Sequence, residues 1–191
     1  MIRNNFFILG FALLLLPTVF FTACNTTNEN LATKSSSEYF ALQNYFNTII
    51  EEYEKEKTPL EKTIIYQNES QTQVINEANW AEELQLFTAS DINKPAWRDA
   101  YSIDTVQKAK EKEVTYTAKK KDLKTQKMIL RFSGNNLQHL TIQNRQKNVM
   151  YETLEDLNFQ ASPLQYSCEV YQKMLWFSPT TFTIKAQKTA P

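Results

Sequence analysis

His139 is the only histidine of the 191-residue chain, so it decides which acid–base chemistry the sequence can support. Catalysis by a serine or cysteine nucleophile needs a base such as histidine, and a third polar group must orient that base. Strand alternation predicts that Leu137 and Thr141 share the face of His139, and neither side chain can orient an imidazole ring. We therefore interpret His139 as a half-exposed strand residue and not as a catalytic base.

Cys168 is the other residue with the chemistry of a nucleophile. It lies in an alternating segment and shares its face with the large side chains of Leu164, Tyr166 and Val170. A buried free cysteine behaves as a small hydrophobic side chain. The sequence predicts a core thiol here, whereas the alternative of a redox or nucleophilic thiol requires an exposed Cys168.

Other catalytic patterns are missing from the sequence. A typical zinc site needs about four histidine, cysteine or acidic ligands at close spacing, which one histidine and Cys168 do not supply. Glu155 and Asp156 are adjacent, so on a strand they point to opposite faces and form no acid pair. Two glycines in the whole chain exclude a glycine-rich phosphate-binding loop. We expect no metal, no cofactor and no enzymatic activity, and keep a hydrolase with two distant carboxylates as a third hypothesis.

The N-terminus has the pattern of a bacterial export signal. Arg3 gives a positive start, and residues 6–21 form an apolar run that is short for a membrane span of about 20 residues. The run ends in Phe-Thr-Ala-Cys at residues 21–24, which resembles the lipobox of bacterial lipoproteins. The resemblance implies cleavage after Ala23 and lipidation of Cys24. The alternative is an ordinary cleaved signal, with the cysteine there by chance.

Three segments follow from this interpretation: a signal peptide at 1–23, a lipidated polar tether at 24–35 and one folded domain at 36–191. The lipid chains would hold the protein on a membrane. By the same resemblance, Asn25 in place of an aspartate favours the outer membrane. A tether with Glu29 as its only acid favours the periplasmic face over the cell surface.

The charge balance bears on the choice of partner. The chain carries 21 basic and 21 acidic residues, so no global field attracts nucleic acid, and we exclude it as a partner. The charge of residues 108–127 is unbalanced, because this stretch has eight lysines and three acidic residues. Such a stretch can meet anionic headgroups or a polyanionic wall polymer. More often, lysines of this kind keep a sheet edge soluble and unpaired.

Two helices are predicted. The first covers residues 36–55, because apolar side chains recur at spacings of three and four, and Ser35 with Glu38 has capping-box spacing. The second begins at Asn79, a favourable N-cap with Glu82 three residues later.

Short alternating segments predict strands over most of the remaining chain, and Leu175–Phe177 is counted among them. Gly134 lies in a tight turn at 133–136, where a positive φ is most needed. The pattern predicts an α+β domain with a strongly curved, half-barrel-like antiparallel sheet of about seven or eight strands. The N-terminal helix and the shorter second helix would cover its apolar face.

The stretch 91–99, together with Tyr101 and residues 114–118, is similar to a group of uncharacterised lipoproteins of the Bacteroidetes. That resemblance implies no activity. In physical terms, Pro95 and Trp97 suit a structural corner in which Arg98 pairs with Asp91.

The leading hypothesis is a lipid-anchored, non-enzymatic periplasmic protein that binds or carries an apolar ligand or lipid. Its cavity would lie between sheet and helices, lined by residues such as Phe132, Leu140 and Tyr151. The alternative is an accessory subunit that binds an envelope protein through an exposed strand edge.

Overall fold

One antiparallel sheet of nine strands organises the computed structural model, which describes residues 39–67 and 69–189. Three helices pack against one face of the sheet, and the other face is open to solvent. The predicted lipidation site, Cys24, and the predicted capping pair, Ser35 and Glu38, lie outside the described residues.

Strands make up most of the described chain. The helices are α1 (Leu42–Lys55), α2 (Trp80–Glu83) and α3 (Gln85–Thr88), followed by one 3-10 turn at Pro95–Trp97. The strands are β1 (Leu60–Tyr66), β2 (Glu69–Ile75), β3 (Tyr101–Lys108), β4 (Glu111–Ala118), β5 (Thr125–Ser133), β6 (Asn136–Lys147), β7 (Tyr151–Gln160), β8 (Gln165–Met174) and β9 (Thr180–Lys188).

The strand order is β2-β1-β9-β8-β7-β6-β5-β4-β3, so β3 to β9 form one meander and the β1–β2 hairpin pairs with β9. The predicted antiparallel sheet with an N-terminal helix is confirmed, but the fold is mostly β and has nine strands. The sheet is neither closed nor strongly curled, so the half-barrel expectation is wrong. Tight turns determine which strands pair, whereas curvature depends on what packs against the sheet.

Aromatic side chains fill the space between the helices and the sheet. Phe46 of α1 and Phe87 of α3 meet over Phe159 of β7, with ring centroids 4.9 and 5.8 Å from the Phe159 ring. Trp80 is fully buried, and its indole Nε1 donates to the carbonyl oxygen of Thr58 at 3.0 Å. A single continuous core therefore joins the helices to the central strands.

Helix α1 begins later than predicted because a distant loop supplies its cap. Asp91 Oδ2 accepts the backbone N–H of Gln43 at 2.6 Å, in the first turn of α1. Asn93 holds the preceding residues, since its Oδ1 accepts the N–H of Tyr39 at 3.2 Å and its Nδ2 donates to the carbonyl of Phe40 at 2.8 Å. These contacts satisfy backbone groups that a helix end leaves unpaired.

The stretch 91–99 is thus a structural corner, as one interpretation predicted, but its internal pairing differs. Among the described residues no ion pair joins Arg98 to Asp91. The second Asp91 oxygen accepts the N–H of Asn93 at 2.6 Å, so backbone groups occupy the carboxylate. Trp97 lies in the 3-10 turn, and the Lys94 ammonium lies 4.1 Å from its ring centroid.

The second helix begins as predicted. The Asn79 side chain accepts the N–H of Glu82 at 3.2 Å and caps α2. The helical segment is interrupted at Leu84, which separates α2 from α3.

The predicted strand at Leu175–Phe177 is wrong, since these residues form the loop between β8 and β9. Pairing of β8 with β7 ends where Met174 faces Tyr151. Beyond that point the apolar run does not alternate, so no strand face can bury it.

Gly134 has φ 59°, which confirms the predicted turn between β5 and β6. No atom lies within 4 Å of the position that a Cβ would take, so a substitution there meets backbone strain and no steric clash. We expect Gly134→Val to lower the free energy of unfolding by about 1–2 kcal/mol, and Gly134→Asn to have a much smaller effect. Urea unfolding of both variants tests this expectation, and equal midpoints would contradict it.

Candidate interaction site

His139 lies next to a β-bulge, which changes the face assignment made from sequence. His139 pairs with Arg131, but Leu137 pairs with Phe132, so Gln138 is an extra residue in β6. The bulge turns Leu137 into the core, and the expectation that it shares a face with His139 is wrong. Thr141 does lie on the open face, as predicted.

The surroundings of His139 do not form a catalytic arrangement. The guanidinium Nε of its neighbour Arg131 donates to Glu113 Oε2 at 2.7 Å, so that carboxylate is already engaged. Within the described part of the chain, no hydrogen bond joins the His139 ring to a carboxylate. The ring lies exposed between two grooves.

Cys168 is 2% exposed on the helix-covered face, and the prediction of a core thiol is confirmed. Burial raises the pKa of the thiol to about 12, and the nearby Glu155 carboxylate contributes in the same direction. A thiol with this pKa is uncharged near neutral pH, so it is a poor nucleophile.

We expect native Cys168 to resist iodoacetamide at pH 8 and to react rapidly in denaturant. Because folding raises its pKa, the folded state binds this proton more tightly than the unfolded state. The resulting stability is present below the ordinary thiol pKa and is lost as the pH rises towards about 12. Rapid labelling of the native protein, followed by mass spectrometry, would contradict the burial argument.

Glu155 and Asp156 point to opposite faces, which confirms the prediction from their spacing. Glu155 accepts from Asn144 Nδ2 at 2.9 Å on the helix side, and Asp156 accepts from Gln143 Nε2 at 3.2 Å on the open face. Across residues 39–67 and 69–189, no group of three histidine, cysteine or acidic residues is placed to hold a metal ion.

The predicted cavity lining is not assembled. Leu140 is buried in the core, and the ring centroid of the partly buried Phe132 lies 5.8 Å from that of Phe40. Tyr151 lies at the far end of β7 and is partly exposed. Between the helices and the sheet, the rings of Phe46, Phe87 and Phe159 pack against one another.

Sequence reasoning missed a polar cluster under α2. Lys62 Nζ lies 2.8 Å from Glu83 Oε2, and the Tyr166 hydroxyl donates to the same oxygen at 2.5 Å. These side chains are far apart in the chain, so no local pattern links them. The one available signal is that Lys62 falls on the same strand face as the buried Leu60.

The β3 strand forms one free edge of the sheet. Its register with β4 is unbroken from Tyr101 to Lys108, and every residue after Tyr101 is exposed. Ile103 and Val106 are about half-exposed on opposite faces. The strand contains no proline and no bulge, two devices that proteins use to block an edge. Within the described sheet, the outward backbone N–H and C=O groups of β3 therefore have no strand to pair with.

A groove of about 570 Å³ lies beside this edge. Its lining includes Val106, Lys112, Glu113, Arg131 and His139, so it carries both signs of charge. A second groove, of about 540 Å³, continues over the central strands. Arg131 and His139 line both grooves. Its other lining residues are mainly polar: Glu61, Thr63, Thr141, Asn158, Gln160, Gln165, Ser167, Lys185 and Gln187.

The lysine-rich stretch 108–127 divides between the two ends of the sheet. Lys108, Lys110 and Lys112 surround the β3–β4 hairpin beside the free edge. Residues 119–124 connect β4 to β5 at the opposite end.

No helix in the described part of the chain is long and apolar enough to cross a membrane. No family model matches this chain, and neither a curated protein nor a solved structure matches it at a significant level.

Proposed function

We propose that this protein is a lipid-anchored accessory subunit of a bacterial envelope complex, with no enzymatic activity of its own. In this proposal Cys24 carries the lipid on the periplasmic face of the outer membrane, in a protein of the Bacteroidetes lipoprotein type. The free β3 edge is the observation that carries the binding role. An extended segment of a partner protein would add to it as a tenth strand.

The edge supplies affinity through its backbone. In an antiparallel pair, roughly half of the N–H and C=O groups of an edge strand point outward. Each backbone hydrogen bond contributes about 0.5–1.5 kcal/mol net, so a segment that follows all of β3 gains several such bonds.

The two faces of β3 supply specificity. Side chains of the added strand alternate between the sheet faces, so one set meets Ile103 and the other meets Val106 and the adjacent groove. On the face of Val106 the groove holds Arg131, whose Nε donates to Glu113 Oε2 at 2.7 Å. A partner segment that alternates apolar residues with polar or charged ones suits this surface.

The other hypotheses have less support. An apolar cargo needs room between helices and sheet, where Phe46, Phe87 and Phe159 already pack together. A hydrolase needs cooperating acids, and Glu155 and Asp156 each have a separate hydrogen-bond partner on a separate face.

Site-specific photo-crosslinking in the host tests the edge. A photoreactive amino acid at Gln107 of β3 should yield one crosslinked partner, whereas the same residue at Val74, on the opposite edge strand β2, should yield none. Ile103→Lys should remove the product at Gln107, because the half-exposed position tolerates lysine in the free protein but an added strand would bury its charge.

Peptide mapping and hydrogen exchange complete this test. The crosslinked partner peptide should be extended and alternating, and the partner should slow amide exchange in β3 and not in β2. Equal crosslinking at both edges, or a product insensitive to Ile103→Lys, would reject the edge as the binding site.

The lipid anchor is tested by Cys24→Ser. The variant should lack the lipid and move from the detergent phase to the aqueous phase in a phase-partitioning assay, because several buried acyl chains hold the wild type. Mass spectrometry of the mature N-terminus checks the modification directly. A variant that partitions like the wild type would refute the lipobox interpretation.

A further inference from the structure

The end of the sheet opposite the β3–β4 hairpin carries a concentrated exposed apolar surface. In the β8–β9 loop, Trp176 is 82% exposed and Phe177 is 70% exposed. In the β6–β7 loop, Val149 is 87% exposed. Large apolar side chains are rarely this exposed in clusters unless a partner or a membrane covers them.

The two loops form one surface, which we call the apolar tip and define as residues 149–150 and 174–177. Strands β7 and β8 are neighbours, and Tyr151 faces Met174 at the point where both loops leave the sheet. The Leu175 N–H donates to the Met150 carbonyl at 2.9 Å and ties the loops together. The two loops therefore lie side by side at this end of the sheet.

Basic residues surround the apolar tip. Lys147 and Lys173 lie at the base of the two loops and are exposed. The one acid at this position, Glu152, accepts from Arg145 at 2.7 Å and lies 3.5 Å from Lys147. The sequence of both tip loops contains no acidic residue. The next loop along this end, residues 119–124, carries four lysines and one acid, Asp122, and adds net positive charge.

We propose that the apolar tip inserts into the interfacial region of an anionic lipid bilayer. Tryptophan and phenylalanine favour the membrane–water interface, and lysines at the base would meet the negative headgroups. This combination of a small apolar tip and a basic surround is typical of a surface that lies in the headgroup layer. The contact orients the sheet end-on to the membrane and leaves the β3 edge free.

The charge pattern favours a bilayer over a second copy of the chain. Two copies that met tip to tip would bring Lys147 and Lys173 against the same lysines of the other copy. Like charges at such short range oppose association. An anionic lipid surface instead attracts each of these lysines.

Vesicle binding by the chain from Ser36 onward tests this proposal, because that part holds the whole described sheet and core and has no lipid anchor. It should sediment with phosphatidylethanolamine–phosphatidylglycerol vesicles and much less with phosphatidylcholine vesicles. Trp176→Ser with Phe177→Ser should weaken binding at least tenfold. The matched control, Val74→Ser, removes an exposed apolar side chain from the β2 edge and should bind as the wild type does.

Fluorescence gives a site-specific readout. In a Trp97→Phe background, Trp176 should shift to shorter wavelength on binding and be quenched by brominated lipid, and adding Trp176→Phe should remove both signals, since the remaining Trp80 is fully buried. Lys147→Glu with Lys173→Glu should abolish the preference for anionic vesicles. The proposal is overturned if the wild type stays off vesicles, if the tip variant binds equally well, or if sedimentation shows tip-dependent dimers instead. These assays contain no partner protein, so their outcome is independent of the β3 edge.

Discussion

Phe159→Ala should lower the free energy of unfolding by about 3–5 kcal/mol, the usual cost of removing a buried phenylalanine from a core. The ring lies where α1, α3 and the sheet meet. Its centroid is 4.9 Å from that of Phe46, 5.8 Å from that of Phe87 and 6.3 Å from that of Tyr45. Truncation leaves a cavity with aromatic walls on several sides, and rigid rings close such a cavity poorly.

Urea unfolding followed by circular dichroism measures this effect. Phe159→Leu should cost much less, because most of the buried volume remains. The matched control is Phe177→Ala, which removes the same ring from an exposed loop and should change stability by less than about 0.5 kcal/mol. Similar losses for Phe159→Ala and Phe177→Ala would contradict the assignment of the core.

Glu83→Gln should lower the free energy of unfolding by about 2–3 kcal/mol. The carboxylate lies in an ion pair with Lys62 and accepts from the Tyr166 hydroxyl, and the two charged side chains are only 12% and 18% exposed. Removing one charge leaves the Lys62 ammonium poorly solvated. The loss should be smaller than the ~3–5 kcal/mol of a fully buried pair, because both side chains keep some contact with water.

A second substitution identifies the cause of this loss. Lys62→Met combined with Glu83→Gln removes both charges while the glutamine still accepts from Tyr166, and it should recover more than half of the stability lost in the single variant. The exposed pair Lys57–Glu77 has the same 2.8 Å separation and provides the control. Glu77→Gln should leave the unfolding midpoint unchanged. A double variant less stable than Glu83→Gln would argue against an unpaired charge as the cause.

Local rules predicted much of the secondary structure. Asn79 caps a helix because its short side chain reaches a free N–H three residues later, and this geometry depends on adjacent residues only. Gly134 takes a positive φ because the turn needs it. The burial of Cys168 followed from the twofold alternation of β8.

Contacts between distant segments explain the features that we predicted wrongly from the sequence. The start of α1 depends on Asp91, which is far along the chain from Gln43. One extra residue, Gln138, reversed the face of Leu137, and a bulge has no reliable local signature. The apolar run at Leu175–Phe177 has strand composition but no neighbouring strand, so it remains a loop.

The sequence by itself determined the antiparallel class of the sheet, the Asn79 cap, the Gly134 turn and the shortage of histidine and cysteine, because each of these depends on composition or on neighbours in the chain. Only the tertiary structure decided the candidate sites. The free β3 edge exists because the meander ends there without closing on β2. The apolar tip exists because the loops of two successive hairpins, β6–β7 and β8–β9, lie side by side when β7 pairs with β8. Strand order and sheet closure depend on how the whole chain packs, so local sequence patterns do not predict them.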